Sequence, residues 1–195
     1  CVEQAGGDVA ALKEIKPEVV VAEDEELTAD VVVIGAGGAG MAAAVTASQE
    51  GKSVIVIEKT GNMGGNTALA GGALNAVDDG SETALARNDS VDFHYEQTFN
   101  GGDKQGDPEL VRILVENAWD GVEWLKSLGM EFQPGVFTVT GGMYERAHKP
   151  VEPEGSGFFK TYQAYMDSND GITMKYNTKA DSFIVEDGVV VGVAC

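Results

Sequence analysis

The chain has 195 residues, 43% of them hydrophobic and 23% charged, too apolar for a disordered tail and ordinary for a globular domain. Thirteen Lys and Arg stand against 32 Asp and Glu, a net charge of −19, so nucleic acid or an anionic lipid surface would be repelled. Cys1 and Cys195 are the only cysteines, too few for a disulfide framework, an iron–sulfur centre or a Cys-rich zinc site.

Residues 1–29 read as an acidic lead-in or linker. They hold eight acids (Glu3, Asp8, Glu14, Glu18, Glu23, Asp24, Glu25 and Glu26) against Lys13 and Lys16, with no sustained helical or strand period. A second reading concerns Cys1. A mature bacterial lipoprotein begins with an acylated Cys followed by a polar tether, which would place the protein outside the cytoplasm on a lipid anchor; a cytoplasmic location stays open. From Val31 to Gln49 there is no charged residue. The glycines and alanines there are too weakly apolar for a transmembrane span, and the stretch divides into a buried strand at Asp30–Ile34, a Gly turn, and an Ala-rich helix closed by Gly51.

Ser53–Glu58 is a second apolar strand, of the kind buried on both faces of a parallel sheet. Strand, helix and strand in this order make a βαβ unit. A polar, Gly-rich segment covers Thr60–Gly72. Asp89–Phe99 forms a short helix. Asp107-Pro108-Glu109 opens a longer one with an N-cap, a first-turn Pro and an acid at the dipole, and Leu110, Ile113, Leu114, Ala118, Val122 and Leu125 carry its apolar pattern to Gly129. Trp119 and Trp124 pack with that helix. Gly157–Asp167 is helical, and strands follow at Ile172–Tyr176, Ala180–Val185 and Val189–Ala194, the last two joined by a turn at Glu186-Asp187-Gly188.

The 26 glycines are about twice the usual share, and six residues concentrate their meaning. Gly35-Ala36-Gly37-Gly38-Ala39-Gly40 is a G-x-G-x-x-G between a strand and a helix. Such a turn lets a diphosphate approach backbone N–H groups at a helix N-terminus. Glu58 ends the next strand, twenty-three residues after Gly35, where a carboxylate can accept both hydroxyls of an adenosine ribose and disfavours a 2′-phosphate. The cofactor at this point is NAD or FAD. The following run, Glu58-Lys-Thr-Gly-Asn-Met-Gly64-Gly65-Asn66-Thr67-Ala-Leu-Ala-Gly71-Gly72, is too long and too Gly-rich for a plain strand-to-helix connection.

In sequence GAGGAG, VIVIEK, MGGNT and AGG, the chain resembles the FAD domain of the fumarate reductase and succinate dehydrogenase flavoprotein superfamily, nearest its soluble flavocytochrome c fumarate reductases and urocanate-reductase-like proteins. NGGD with the long helix, GGMYERAHKP, and the final strands extend the likeness over residues 28–195. Lys149 stands where the family has an Arg. The resemblance implies an α/β fold: a Rossmann-like FAD-binding domain at residues 30–195, with a parallel sheet, a βαβ dinucleotide unit and a small β-meander, incomplete at the C-terminus.

The resemblance further implies that Gly35, Gly37, Gly38, Ala39 and Gly40 carry the diphosphate, and that Glu58, with Lys59 beside it, meets the ribose. It places Gly64, Gly65, Asn66 and Thr67 at the flavin and ribityl phosphate, Gly71 and Gly72 under the isoalloxazine, and the Ala180 backbone at the adenine. Membrane-bound members link FAD through a His before the Thr; Asn66 stands at that position, which implies non-covalent FAD. The chemistry implied is FAD-dependent reduction of the activated C=C bond of a small-molecule enoate, fed by an electron-donor protein or domain.

The family's substrate-clamping His and Arg residues and its Arg proton donor lie in a capping domain or later. Cys195 comes before them and no Arg follows Arg146. No catalytic residue or metal is therefore assigned, and this stretch alone is expected to be inactive. His94 reads as structural and His148 as a support residue. Two other readings stand beside this one: an NAD-binding Rossmann dehydrogenase, and a non-catalytic surface lipoprotein with a nucleotide-binding fold.

Overall fold

A computed structural model describes residues 25–140 and 142–195. The readings of residues 1–24, including Cys1, lie outside the described residues. The fold is mixed α/β around a parallel sheet. Strands β1 (Val31–Ile34), β2 (Val54–Ile57) and β5 (Ile172–Lys175) run parallel in the order β1-β2-β5, in a register that aligns Val31 with Val54 and Val54 with Ile172.

All four residues of β2 are buried, as a continuous Val/Ile run requires of a central parallel strand. Strand β1 differs from its expected burial. Among the described residues it is paired on one edge only, and Val32 and Ile34 are 39% and 49% exposed. Between these strands runs helix α1 (Gly38–Gln49), whose Met41, Ala44 and Val45 fall on one face and enter the core. It ends in a Schellman motif: Gly51 at φ +75° donates to the Ser48 carbonyl and Lys52 to that of Ala47.

Helix α2 (Gly65–Leu69) follows β2, and helices α3 (Glu82–Arg87) and α4 (Val91–Gly101) follow strand β3 (Leu74–Asn75). Ser81 and Ser90 cap α3 and α4 by accepting from the N–H groups of Ala84 and Phe93. Helix α5 (Pro108–Ser127) starts as the sequence predicts, with the Asp107 carboxylate accepting from the N–H groups of Glu109 and Leu110. Its buried row is Val115, Val122 and Leu125. Leu110, Ile113 and Leu114 belong to the apolar pattern but are 65%, 57% and 60% exposed, because they occupy faces of the first turns that no described residue covers.

Trp119 and Trp124 join α5 to its neighbours: Trp119 lies against His148, and Trp124 against Tyr162 while donating to Gln49. Strand β4 (Ala147–His148) pairs antiparallel with β3. Helix α6 (Ser156–Asp167) sends Phe158, Phe159 and Tyr162 into the cluster formed by Met41, Val45, Val54, Val56 and Leu125. Of the three C-terminal strands, β5 joins the parallel sheet. Strands β6 (Ser182–Glu186) and β7 (Val189–Ala194) form a separate exposed hairpin, turned at Asp187 and Gly188, both with positive φ.

Away from the sheet, Arg146 and Asp89 make a buried bidentate pair, with Nη2–Oδ1 at 2.7 Å and Nε–Oδ2 at 3.0 Å. Phe93 and Tyr144 flank the guanidinium. His94 is buried beside this pair, and burial first, then the Arg146 charge, lowers its pKa to about 4, which leaves the ring neutral at physiological pH. Its structural reading fits that position. Removing one partner of a buried ion pair leaves the other charge uncompensated. Asp89→Ala should therefore lower unfolding free energy by about 3–5 kcal/mol, read as a shift of the urea midpoint at unchanged slope.

Candidate functional site

The carboxyl ends of β1, β2 and β5 come together at one edge of the sheet, the place where open α/β sheets bind ligands. The Gly35–Gly40 turn leaves β1, Glu58 ends β2, and the Asn177–Ala180 segment leaves β5. Backbone bonds lock the three ends. Gly35 N–H donates to Ile57, Glu58 N–H to Lys175, Thr178 N–H to Glu58 and Asn177 N–H to Thr60, at 2.8–3.0 Å.

Glu58 is the central side chain of this edge. Although 8% exposed, its carboxylate is well satisfied: Oε2 accepts from the Ala36 N–H at 2.9 Å, and Oε1 from both the N–H and the hydroxyl of Thr60 at 2.8 Å. Burial alone would raise its pKa. The bonds from Ala36 and Thr60, with the Lys59 charge, outweigh burial and hold it below the ordinary carboxylate value.

The glycines of the turn have different tasks. Gly35 sits at φ +96°, a conformation that L side chains rarely adopt. At Gly40 a Cβ would lie 1.9 Å from the Gly35 carbonyl oxygen, so closure of the turn excludes any side chain. At Gly37, in extended conformation, a Cβ would meet nothing within 4 Å. Open space lies over that residue. The N–H groups of Gly37, Ala39 and Gly40 have no hydrogen-bond partner among the described residues, and the first turn of α1 contains no acid. A helix start whose N–H donors have no protein partner is the kind of place where anions are favoured.

A second Gly-rich segment lies against the first. Gly64 N–H donates to the Ala36 carbonyl at 2.8 Å, and Thr67 Oγ1, on α2, accepts from the Gly38 N–H at 3.2 Å. Gly64 and Gly65 are both in positive φ. Asn66 and Lys59 are exposed, Gly71 is exposed and Gly72 buried, and Ala180 is half-buried past the end of β5. The structure thus brings the turn, Glu58, Gly64–Thr67 and the Thr178–Ala180 segment to one edge.

Two contacts were not anticipated from the sequence. Thr60 is the main partner of Glu58, a local pairing that the Glu-x-Thr spacing could have signalled. Ala36, between the first two glycines, supplies the other bond through its backbone, for which no side-chain signal exists. His148 stands apart from the turn on β4, its Nε2 at 3.2 Å from the Ala76 carbonyl, and Arg146 is committed to Asp89. Among the described residues no helix is long and apolar enough to cross a membrane.

Because its folded-state pKa is lowered, Glu58 contributes stability that is present above about pH 4.3, its unfolded value, and is lost as pH falls through the lower folded value. Glu58→Gln should cost about 1–3 kcal/mol at neutral pH, by facing an amide NH2 toward an N–H or O–H donor. The acid limb of the stability profile should flatten in the same variant, measured by urea titration between pH 7 and 3.

The arrangement has relatives. The chain is 39% identical over 166 residues to the urocanate reductase of Eggerthella lenta, covering 84% of this chain and 27% of that protein. It is 35% identical over 168 residues to a fumarate reductase (cytochrome) of Shewanella frigidimarina, covering 85% and 29%. Among solved structures, the open conformation of a flavocytochrome c3 fumarate reductase superposes with a TM-score of 0.72 at 33% identity, over 85% of this chain and 29% of that one. The chain therefore spans less than a third of these relatives. The FAD binding domain family matches residues 30–195, which include every element of the sheet edge, and the chain belongs to that family of FAD-binding proteins.

Proposed function

We propose that residues 30–195 supply the dinucleotide half of the flavin site in an FAD-dependent oxidoreductase that reduces the activated C=C bond of an enoate, with residues 1–29 as an acidic lead-in. The observation that carries the reading is the pairing of free N–H donors at Gly37, Ala39 and Gly40 with open space above Gly37. Those donors suit a diphosphate. The G-x-G-x-x-G turn alone would also suit NAD, but the family match and the Gly64–Thr67 segment favour FAD.

In this reading the Gly35–Gly40 turn, with Gly38 and the Ala39 backbone, holds the diphosphate, helped by the α1 dipole. A carboxylate offers about four acceptor positions. Three bonds from Ala36 and Thr60 already occupy Glu58, so it has room for one ribose hydroxyl rather than two, with Lys59 beside it. The Ala180 backbone borders the adenine. Gly64, Gly65, Asn66 and Thr67 face the ribityl chain and flavin, and Gly71 and Gly72 let the backbone approach the isoalloxazine. Asn66 stands where the resembled membrane-bound flavoproteins carry their linking His, which supports FAD held without a covalent bond.

FAD held by these residues would supply hydride chemistry for the β-carbon of the enoate, with a proton added at the neighbouring carbon. The urocanate and fumarate reductases among the relatives support that substrate class. Electrons come from a donor protein or domain. Arg146 does not serve as proton donor, being buried and bidentate to Asp89.

Gly37→Val and Gly40→Ala separate binding from folding. Gly37→Val should keep the apo-protein melting temperature within a few degrees yet lose at least tenfold in FAD affinity, because its side chain enters open space. Gly40→Ala should destabilise the apo-protein, because its Cβ meets the Gly35 carbonyl. Stoichiometric FAD in Gly37→Val would place the diphosphate elsewhere. A further prediction concerns attachment: acid precipitation of the loaded protein should leave all flavin in the supernatant, and flavin fluorescence in the pellet would show a covalent link.

A further inference from the structure

Resting on that reading, we propose that the Glu154–Gly155 turn, at the N-terminus of α6, is a positioning element for the flavin: it sets the path of the Thr67–Gly72 segment from behind. Two contacts lock the segment at its two ends. A Cβ on Gly155 would lie 1.7 Å from the Thr67 carbonyl oxygen, and a Cβ on Gly72 would lie 2.0 Å from the Glu154 carbonyl oxygen. Neither position tolerates a side chain while both backbones keep their places. Glu154 itself stands at φ +53° and Gly72 at φ +78°, so the two turns are also conformationally matched at some cost to Glu154.

Thr67 connects this contact to the diphosphate turn. Its Oγ1 accepts from the Gly38 N–H, and its carbonyl accepts from the Ala70 N–H that ends α2. A Cβ on Gly38 would lie 2.8 Å from that same Oγ1. Three stretches distant in sequence, at Gly38, Thr67–Gly72 and Glu154–Gly155, are therefore in contact, the last two backbone against backbone and Gly38 against the Thr67 side chain. Displacing the last must move the middle one or break the contact. The far side of the turn is held by α6, whose Phe158, Phe159 and Tyr162 are buried in the core, with Phe159 within 4 Å of a Cβ built at Gly64. Core packing of α6 is thereby transmitted to the backbone that would lie under the flavin ring.

The test compares the FAD-loaded protein with its Gly155→Ala variant. The added methyl should force the Thr67 carbonyl away, weaken FAD at least tenfold, and change the flavin absorption band and midpoint potential. A residue of merely structural importance would lower the melting temperature and leave spectrum and potential unmoved, and that outcome overturns the proposal. Should Gly155→Ala fail to fold, hydrogen exchange of the unmodified protein decides. On FAD loading, protection should appear at residues 154–158 together with 35–40 and 65–72, and protection confined to the latter two overturns the inference. Absence of FAD binding by the unmodified protein would instead overturn the functional reading itself.

Discussion

The Glu58 carboxylate is the constraint on which the sheet edge depends. It terminates the central strand and reaches back to the N–H of Ala36 inside the preceding turn, while Thr60 holds it from the other side. One side chain thus ties the exit of β1 to the exit of β2. The bond also uses the Ala36 N–H, while those of Gly37, Ala39 and Gly40 have no partner among the described residues. A substitution at Glu58 made to probe its proposed role at the ribose therefore also disturbs the turn that it holds.

Around that anchor the site is built from backbone. Gly35 is fixed by its dihedral, Gly40 and Gly155 by lack of room, and Gly37 by neither. No contact within the described residues requires glycine at Gly37, which is why the proposed diphosphate contact is tested there. The buried Asp89–Arg146 pair, with His94 beside it, lies away from the sheet edge.

The parts legible in the sequence were those with a local cause. The Val/Ile run of β2, the Asp107-Pro108 start of α5 and Gly51 after α1 each announce their structure through a period, a cap or a permitted dihedral. The strand β1 is equally apolar but has one partner among the described residues, so its burial depended on neighbours that its own residues do not encode. Leu110, Ile113 and Leu114 show the same division: an apolar period gives a helix, while tertiary contacts decide which of its faces is covered. At the site, the glycines and Glu58 were readable as a pattern. Their interlock with Gly155, over eighty residues away, was not, since contact between two backbones leaves no complementary pair of side chains to recognise.

The Gly35–Gly40 turn, finally, carries no charged residue in a chain of net charge −19. Capture of an anionic dinucleotide there would rely on short-range peptide dipoles, with the molecule's long-range field working against approach. Salt screens the long-range part first. Added electrolyte should therefore hasten cofactor association, the reverse of its effect where a basic patch draws the ligand in, and the acidic surface would act as a kinetic gate whose height is set by the ionic strength of the surroundings.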